Sequence, residues 1–176
     1  MRSLRQLILA LAAALAATAC SVVDRNPNTT PLDTKARWAM LPIVNHTDTP
    51  QAGLRAESIT EGVLRARGVN NMVRYPAAMN PESLLEPAER KLQDEARKWA
   101  RDQGARYGVY GAVDEWRYKV GVDGEPAVGL ALFVVALQSG EVVWSAVGGK
   151  SGWSREALSA VGQKLVRELL DSARLQ

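Results

Sequence analysis

The chain has 176 residues, a single cysteine and a formal net charge of +3. This length suits one domain with a single hydrophobic core. The charge argues against a nucleic-acid-binding domain, which would need a clear basic excess. The only cysteine, Cys20, lies close to the N-terminus. The remainder of the chain therefore has no thiol for a disulfide, a thiolate nucleophile or a cysteine metal site.

The N-terminal segment is typical of an export signal. Two arginines precede the apolar run Leu7–Ala17, which is too short for a membrane span, and small residues follow up to Cys20. A cysteine at such a cleavage point resembles the lipobox of bacterial lipoproteins, although Ala17 stands where leucine is more usual. We predict that residues 1–19 are a signal peptide and that Cys20 is lipidated. The alternative is an ordinary secretory signal cleaved after Ala19.

Lipidation of Cys20 would fix the protein to a membrane. Two or more acyl chains on one residue make anchoring effectively permanent, because each buried methylene contributes about 0.8 kcal/mol. Ser21 follows the cysteine, where aspartate would favour retention in the inner membrane in many lipoproteins. We therefore predict the periplasmic face of the outer membrane as the location. Cleavage would also remove Arg2 and Arg5, which lowers the net charge from +3 to +1.

The first half of the mature chain alternates strand and helix patterns. Residues 20–35 are polar and predict a flexible tether, which places the folded domain at residues 36–176. An apolar run over residues 37–44 predicts a strand. Apolar residues at helical spacing then predict a first helix, and a weaker strand pattern follows at residues 71–75. A second helix is predicted at residues 86–104, where a glycine ends it.

The second half predicts a three-stranded antiparallel meander. Turn signals at residues 123–124 and 139–140 separate three apolar, β-rich runs. The middle run, residues 128–137, is apolar at consecutive positions, so helices or another subunit must cover both of its faces. In the first run the apolar face changes parity, which predicts a bulge near Asp114 and Glu115.

A last helix with an apolar stripe follows Ser154, which is its predicted N-cap. The predicted order is β-α-β-α-β-β-β-α. The fold class is therefore α/β, with a single mixed sheet of about five strands, a C-terminal three-stranded meander and three helices.

The residues do not suggest a catalytic site. The only histidine, His46, lies in a polar loop without a serine, cysteine or metal-ligand pattern around it, which favours an ordinary loop residue. Asp114 and Glu115 are adjacent on a strand and would point to opposite faces, so they could not hold one substrate atom together. We therefore predict a non-enzymatic protein without a metal or another cofactor.

Several blocks of the sequence resemble known periplasmic lipoproteins. Residues 39–47, 104–107 and 139–144 are similar to segments of the superfamily that includes CsgG and LpoB. Residues 127–130 and 150–154, together with the compact length, resemble the PelC-like outer-membrane lipoproteins of Pel exopolysaccharide export. The resemblance begins near the first strand and runs to the end of the chain.

The PelC-like resemblance implies a role in export. It implies a closed homo-oligomeric ring of about twelve subunits, joined by one repeated heterologous contact. The ring would lie at the outer membrane beside a β-barrel porin, and its acidic opening would collect a cationic amino-sugar polysaccharide. The alternative is an LpoB-like adaptor that activates a peptidoglycan synthase. A long tether would favour that adaptor, whereas the roughly fifteen residues here span at most about 50 Å.

Carboxylates on the meander are the candidates for the acidic opening. Asp123 and Glu125 lie at the predicted hairpin tip, and Asp114 and Glu115 lie further back on the strand. A ring would repeat each carboxylate in every subunit, so that their fields add up in a narrow opening. The alternative for Asp123 is a simple turn former before a glycine.

The segment before the last helix is the candidate membrane contact. Trp153 stands in a polar stretch, whereas the other four tryptophans lie in apolar patterns and are predicted core residues. An indole suits the depth of the lipid headgroups, and Lys150 and Arg155 could meet anionic lipid. The alternative is a hydrophobic staple, in which Trp153 packs on the first turn of the helix.

Overall fold

Six strands and three helices form the described part of the protein. The computed structural model describes residues 21–26, 30–76, 86–121 and 124–176. The strands are β1 (Ser21–Arg25), β2 (Trp38–Asn45), β3 (Met72–Arg74), β4 (Tyr107–Tyr118), β5 (Pro126–Ala136) and β6 (Val142–Ser151). The helices are α1 (Ala52–Ala66), α2 (Glu86–Asp102) and α3 (Leu158–Leu170). Within these ranges no helix is long and apolar enough to cross a membrane.

The strands form one mixed sheet in the order β1-β6-β5-β4-β2-β3. β2 pairs in parallel with β3 and β4, and the other neighbours are antiparallel. Parallel neighbours require long crossovers, which α1 and α2 provide. Gly124 and Gly140 adopt positive φ in the two hairpin connections of the meander, a conformation that glycine takes without strain. The predicted α/β fold with its C-terminal meander is confirmed.

The prediction of a flexible tether over residues 20–35 is wrong for much of that segment. Ser21–Arg25 form β1, which pairs antiparallel with β6 along its whole length. Leu32 is buried; its amide donates to the carbonyl of Arg174, and its carbonyl accepts from the amide of Gln176. Without β1, the edge of β6 would leave a row of unpaired N–H and C=O groups. The partner strand β6 is far away in the chain. The residues around Ser21–Arg25 therefore show no periodic pattern that would have predicted a strand.

Helices α1 and α3 cover one face of the sheet and enclose the main core. Trp38, Trp116 and Trp144 are at most 1% exposed there, which confirms their prediction as core residues. Trp99 is half-buried on α2, where its ring meets that of Tyr75 edge to face at 5.4 Å. α3 begins at Leu158 without a side-chain cap, so the prediction of a cap at Ser154 is wrong.

Helix α2 covers only part of the opposite face. A smaller core joins Ala96 of α2 to Ala39 and Leu41 of β2, and α2 packs mainly on β2. The middle strand β5 therefore has a helical cover on one face, and Ala131 and Phe133 on its other face remain half-exposed.

Pro42 interrupts β2 and creates a buried polar contact. The register of β2 against β4 shifts between Met40 and Ile43, because proline has no N–H to donate. The amide of Ile43 instead donates to Oε1 of Glu57 on α1 at 3.1 Å. Arg74 on β3 pairs with the other oxygen of Glu57 at 2.9 Å. Burial raises the pKa of the Glu57 carboxyl, and the hydrogen bonds from Ile43 and Arg74 oppose that rise.

Candidate functional site

One end of the sheet gathers the start of β1, the β4–β5 hairpin and the segment after β6. Ser21 lies opposite Lys150 in the ladder, and the amide of Gly152 donates to the carbonyl of Pro126 at 2.8 Å. We call this the anchor end, formed by residue 21, residues 118–121, 124–126 and 150–156. Cys20, the predicted lipidation site, lies outside the described residues and directly precedes Ser21 in the sequence.

Trp153 is exposed at the anchor end. Its side chain is 58% exposed, and its amide lies 3.3 Å from Oε2 of Glu156 in the turn before α3. Arg155 in the same turn is exposed and adopts a φ of +70°. Tyr118 and Val120 on the hairpin are also exposed large apolar residues, at 51% and 101%. Neither residue was predicted to lie at the surface, although the apolar pattern at the end of the first meander strand contains both.

Lys150 is placed differently from Trp153 and Arg155. Its side chain is 11% exposed, and Nζ pairs with Oε1 of Glu168 on α3 at 2.5 Å. The hydroxyl of Ser21 donates to the second oxygen of Glu168 at 2.9 Å. The cation of Lys150 is therefore engaged within the domain and ties β6 to α3, whereas Arg155 remains at the surface.

The hairpin tip carries the first pair of predicted carboxylates. Asp123 lies outside the described residues. The side chain of Glu125 is 47% exposed, and its carboxylate lies 4.0 Å from Nζ of Lys119 across the hairpin. Lys119 also donates to the hydroxyl of Ser151 at 2.7 Å. Glu125 is thus a surface carboxylate at the anchor end with one loosely placed cation beside it.

The predicted bulge in β4 lies at Asp114. The register of β4 against β5 shifts between Val113 and Glu115, so Asp114 is the extra residue and the predicted bulge is confirmed. Oδ1 of Asp114 lies 3.1 Å from Nδ1 of His46, and Oε2 of Glu89 on α2 lies 3.4 Å from Nε2. These hydrogen bonds, first that of Asp114, raise the pKa of His46 above its ordinary value, although burial opposes them.

His46 therefore links three elements that the sequence does not connect: the end of β2, the bulge of β4 and α2. In the ranges that the structure describes, no group of three or more His, Cys, Asp or Glu residues could hold a metal ion. The contacts of His46 are accordingly those of an imidazole between two carboxylates.

Asp114 and Glu115 line one cleft, contrary to the expectation that they point to opposite faces. The bulge breaks the alternation of the strand at this point. The cleft has a volume of about 570 Å³ and also involves the loop that follows β2. Glu115 pairs with Nε of Arg117 at 3.0 Å. Each of the two carboxylates thus has a cationic or titratable partner, Arg117 or His46, at its side.

The predicted site residues fall into two groups. Glu125, Lys150, Trp153 and Arg155 lie together at the anchor end, whereas Asp114 and Glu115 lie further along β4, beside His46 and α2. No local signal could have predicted the second neighbourhood, because it depends on pairing between segments that are distant in the chain.

The fold has relatives among solved structures, although no family model and no curated protein matches the chain. Lipoprotein GNA1162 from Neisseria meningitidis aligns with a TM-score of 0.53 and 17% identity, over 77% of this chain and 96% of that chain. At this identity the likeness shows the α/β fold alone. The class that the fold defines is therefore an α/β domain with one mixed sheet and helices packed on it.

Two solved PelC dodecamers from Paraburkholderia phytofirmans are much more similar. One, a point variant, has 39% identity and a TM-score of 0.76, over 89% of this chain and 100% of that chain. The other has 38% identity and a TM-score of 0.75, over 89% of this chain and 99% of that chain. The chain therefore belongs to the PelC family, which confirms the resemblance noted in its sequence.

Proposed function

We propose that this protein is a non-enzymatic outer-membrane lipoprotein that forms a ring and guides a cationic exopolysaccharide, Pel or a similar polymer, to its export porin. The observation that carries the proposal is the 39% identity to a PelC dodecamer, which is covered over its whole length. The proposal includes lipidation of Cys20 and a position at the periplasmic face of the outer membrane.

The geometry of the anchor end supports the membrane part of the proposal. The residue next to Cys20 lies beside β6, and the chain leaves β6 directly into the turn that exposes Trp153. Tyr118 and Val120 add apolar surface at the same end. An anchor and an exposed indole on one end would hold that end against the headgroups. In a ring the weak insertion of each indole is repeated, so the assembly gains avidity that one subunit lacks.

The carboxylates support the proposed contact with a cationic polysaccharide, because a ring would repeat them in every subunit. A single exposed carboxylate such as Glu125 attracts a cation weakly in water, whereas a circle of them around a narrow opening adds its fields. Asp123 and Glu125 are the preferred candidates because Glu125 is exposed at the anchor end and Asp123 precedes it by two residues in the sequence. Asp114 and Glu115 would contribute less, since His46 and Arg117 lie beside them.

The experiment that tests this assignment neutralises the hairpin tip. We expect the double variant Asp123→Asn, Glu125→Gln to fold and assemble normally and to secrete less polysaccharide, as measured by the polymer outside the cell. Glu141→Gln is the matched control, because Glu141 is an exposed carboxylate in the hairpin connection at the opposite end of the sheet. Wild-type secretion from the double variant would remove the hairpin carboxylates from the proposal.

The anchor is tested separately by fractionation. We expect Cys20→Ser to leave the protein in the soluble periplasmic fraction, whereas the wild-type protein sediments with the outer membrane. Recovery of Cys20→Ser in the outer membrane would show that lipid on this residue is not what holds the protein there.

The alternative of a peptidoglycan-synthase activator is weakened by β1. Such an adaptor needs a long tether to cross the peptidoglycan, and the sheet here begins at the residue immediately after Cys20. In the segment between β1 and β2, Leu32 and Thr34 are held by hydrogen bonds to the C-terminal residues. A domain held directly at the membrane suits an export ring better than a distant enzyme partner.

A further inference from the structure

The two faces of the central strand β5 have different covers. Val128, Leu130, Leu132 and Val134 face α1 and α3 and are at most 1% exposed. The alternate residues between them, from Gly129 to Phe133, are half-exposed, because α2 packs mainly on β2. An apolar strand in the middle of a sheet normally has both faces covered. The second face of β5 therefore lacks a cover within this chain's described residues.

This second face continues across the neighbouring strands. In the ladders Ala112 lies opposite Ala131, and Ala131 lies opposite Val147. Val147 is 45% exposed on β6, and Val22 on the adjoining β1 is 70% exposed. We call this surface the open face; it consists of Val22, Ala112, Gly129, Ala131, Phe133 and Val147. Its centre is made of apolar side chains and glycine. Two carboxylates lie on the same face at its margins, Asp24 opposite Val147 and Glu115 opposite Gly129.

Polar atoms at the margin of the open face lack partners. Nε of Arg97 and Oε1 of Gln93, both on α2, are buried without a hydrogen bond. They border a cleft of about 400 Å³ that Tyr110 and Phe133 also line. The guanidinium of Arg97 lies 4.8 Å from the centroid of the Tyr110 ring, which stacks on Phe133 at 5.1 Å. Buried polar groups are normally paired, so a missing neighbour at this margin would account for both atoms.

We infer that the open face is a subunit interface, covered in the ring by a second copy of this chain. This inference rests on the proposed function, because it assigns a surface to the contact that the proposed ring requires. A cationic polymer is a poor occupant, since the carboxylates of this face lie at its margins on β1 and β4, and Glu115 is already paired with Arg117. The membrane is a poor occupant as well, because the open face runs along the strands rather than across the anchor end.

The geometry of a ring agrees with this placement. A ring closed by one repeated heterologous contact uses two different surfaces of each subunit, so one surface must be free in the isolated chain and lie to the side of the ring axis. The open face meets both requirements. The apolar character of the centre of this surface suits a permanent contact between copies, whose interfaces resemble a divided domain core.

The test compares identical substitutions on two exposed valines of the full-length protein, extracted from membranes in detergent. Val147→Lys places a cation on the open face, and Val120→Lys places the same cation at the anchor end. Ala131→Lys provides a second change at the centre of the open face. We expect the wild-type protein and Val120→Lys to have the mass of a ring by native mass measurement. We expect Val147→Lys and Ala131→Lys to lose that mass and to appear as monomers with unchanged circular dichroism.

The outcomes separate the two proposals. A wild-type protein that is itself monomeric would overturn the proposed ring together with this interface. A wild-type ring that persists in Val147→Lys and Ala131→Lys would overturn the interface alone and leave the ring standing. Loss of export from an intact Ala131→Lys ring would also overturn the interface and assign the open face to another partner.

A cross-linking experiment keeps the inference testable if the lysine variants fail to fold. Phe133 is replaced by the photoreactive analogue benzoylphenylalanine, which keeps an aromatic ring at the position. Irradiation of the assembled protein should produce a ladder of covalent dimers and higher oligomers. An intact ring that yields no such ladder would show that Phe133 does not face a second copy.

Discussion

Tryptophan is buried on the covered face of the sheet but exposed at the anchor end. Trp116 on β4 is 1% exposed beneath α3, whereas Trp153, in the turn that leads into α3, is 58% exposed. The helix approaches Trp116 so closely that a Cβ on Gly162 would lie 2.6 Å from the ring. Burial on the covered face makes an indole part of the core, and exposure at the anchor end leaves one free for contact with another surface.

The largest expected effect is the difference in stability between Trp116→Ala and Trp153→Ala. Trp116→Ala should lower the free energy of unfolding by about 3–5 kcal/mol, because it leaves a cavity in the core. Trp153→Ala should change it by less than about 0.5 kcal/mol, as surface substitutions usually do, while export or membrane seating declines. Urea unfolding of both variants measures the difference. A loss of several kcal/mol in Trp153→Ala would identify a staple or core residue and end the membrane-contact proposal.

A pair of glycines sharpens the same comparison within the helices. Gly162→Ala on α3 should destabilise the protein by about 1–3 kcal/mol, since the new methyl overlaps the Trp116 ring. Gly62→Ala on α1 has no atom within 4 Å of the new Cβ and should stabilise it by up to about 1 kcal/mol through helix propensity. Denaturation midpoints of the two variants should shift in opposite directions. Equal shifts would show that α3 moves away from Trp116 without cost.

The buried carboxylate below Pro42 should behave unlike those near the surface. Glu57→Ala leaves the amide of Ile43 without its acceptor and should cost about 1–3 kcal/mol. Glu57→Gln keeps an oxygen at that position and should cost less. Glu115→Gln, in the exposed pair with Arg117, should change stability by less than about 0.5 kcal/mol. Unfolding free energies of the three variants in one buffer test this order, which a costlier Glu115→Gln would contradict.

The smallest expected effect is the pH dependence of the His46 contacts. The pKa of His46 is raised above its ordinary value of 6.5, so the stability from its contacts is fully present below pH 6.5 and is lost as the pH rises through the folded-state pKa. Both His46 and Asp114 are about half exposed, so the contribution should stay below about 1 kcal/mol. The stability difference between wild type and His46→Gln should shrink from about pH 5.5 to about pH 8.5. A constant difference would show that protonation of His46 does not couple to folding.

Local patterns in the sequence were sufficient for the order of elements from β2 to α3. The hairpin signals at residues 123–124 and 139–140, the glycine after α2 and the parity change at Asp114 each depend on a few neighbouring residues. Such features follow from backbone conformation and side-chain periodicity, which act over short distances in the chain. The same holds for the quoted blocks that resemble PelC-like proteins, because a family likeness is carried by the residues themselves.

The candidate site depended much more on tertiary structure. Lys150 was a plausible lipid contact from its neighbours, yet α3 brings Glu168 within 2.5 Å of it. Asp114 and Glu115 were expected on opposite faces, yet the bulge sets both beside one cleft, and α2 brings Glu89 to His46. Each of these contacts joins residues from different elements, so no local pattern contains it.

The sequence by itself was sufficient to predict the export signal, the family and the succession of strands and helices. These properties depend on composition and on patterns among neighbouring residues. Only the tertiary structure decided that β1 completes the sheet edge, that the anchor end gathers Trp153 beside the start of β1, and that one face of β5 stays open. The physical reason is that strand pairing and helix docking are contacts between distant segments. Their outcome depends on which edges and apolar faces the rest of the fold leaves unsatisfied.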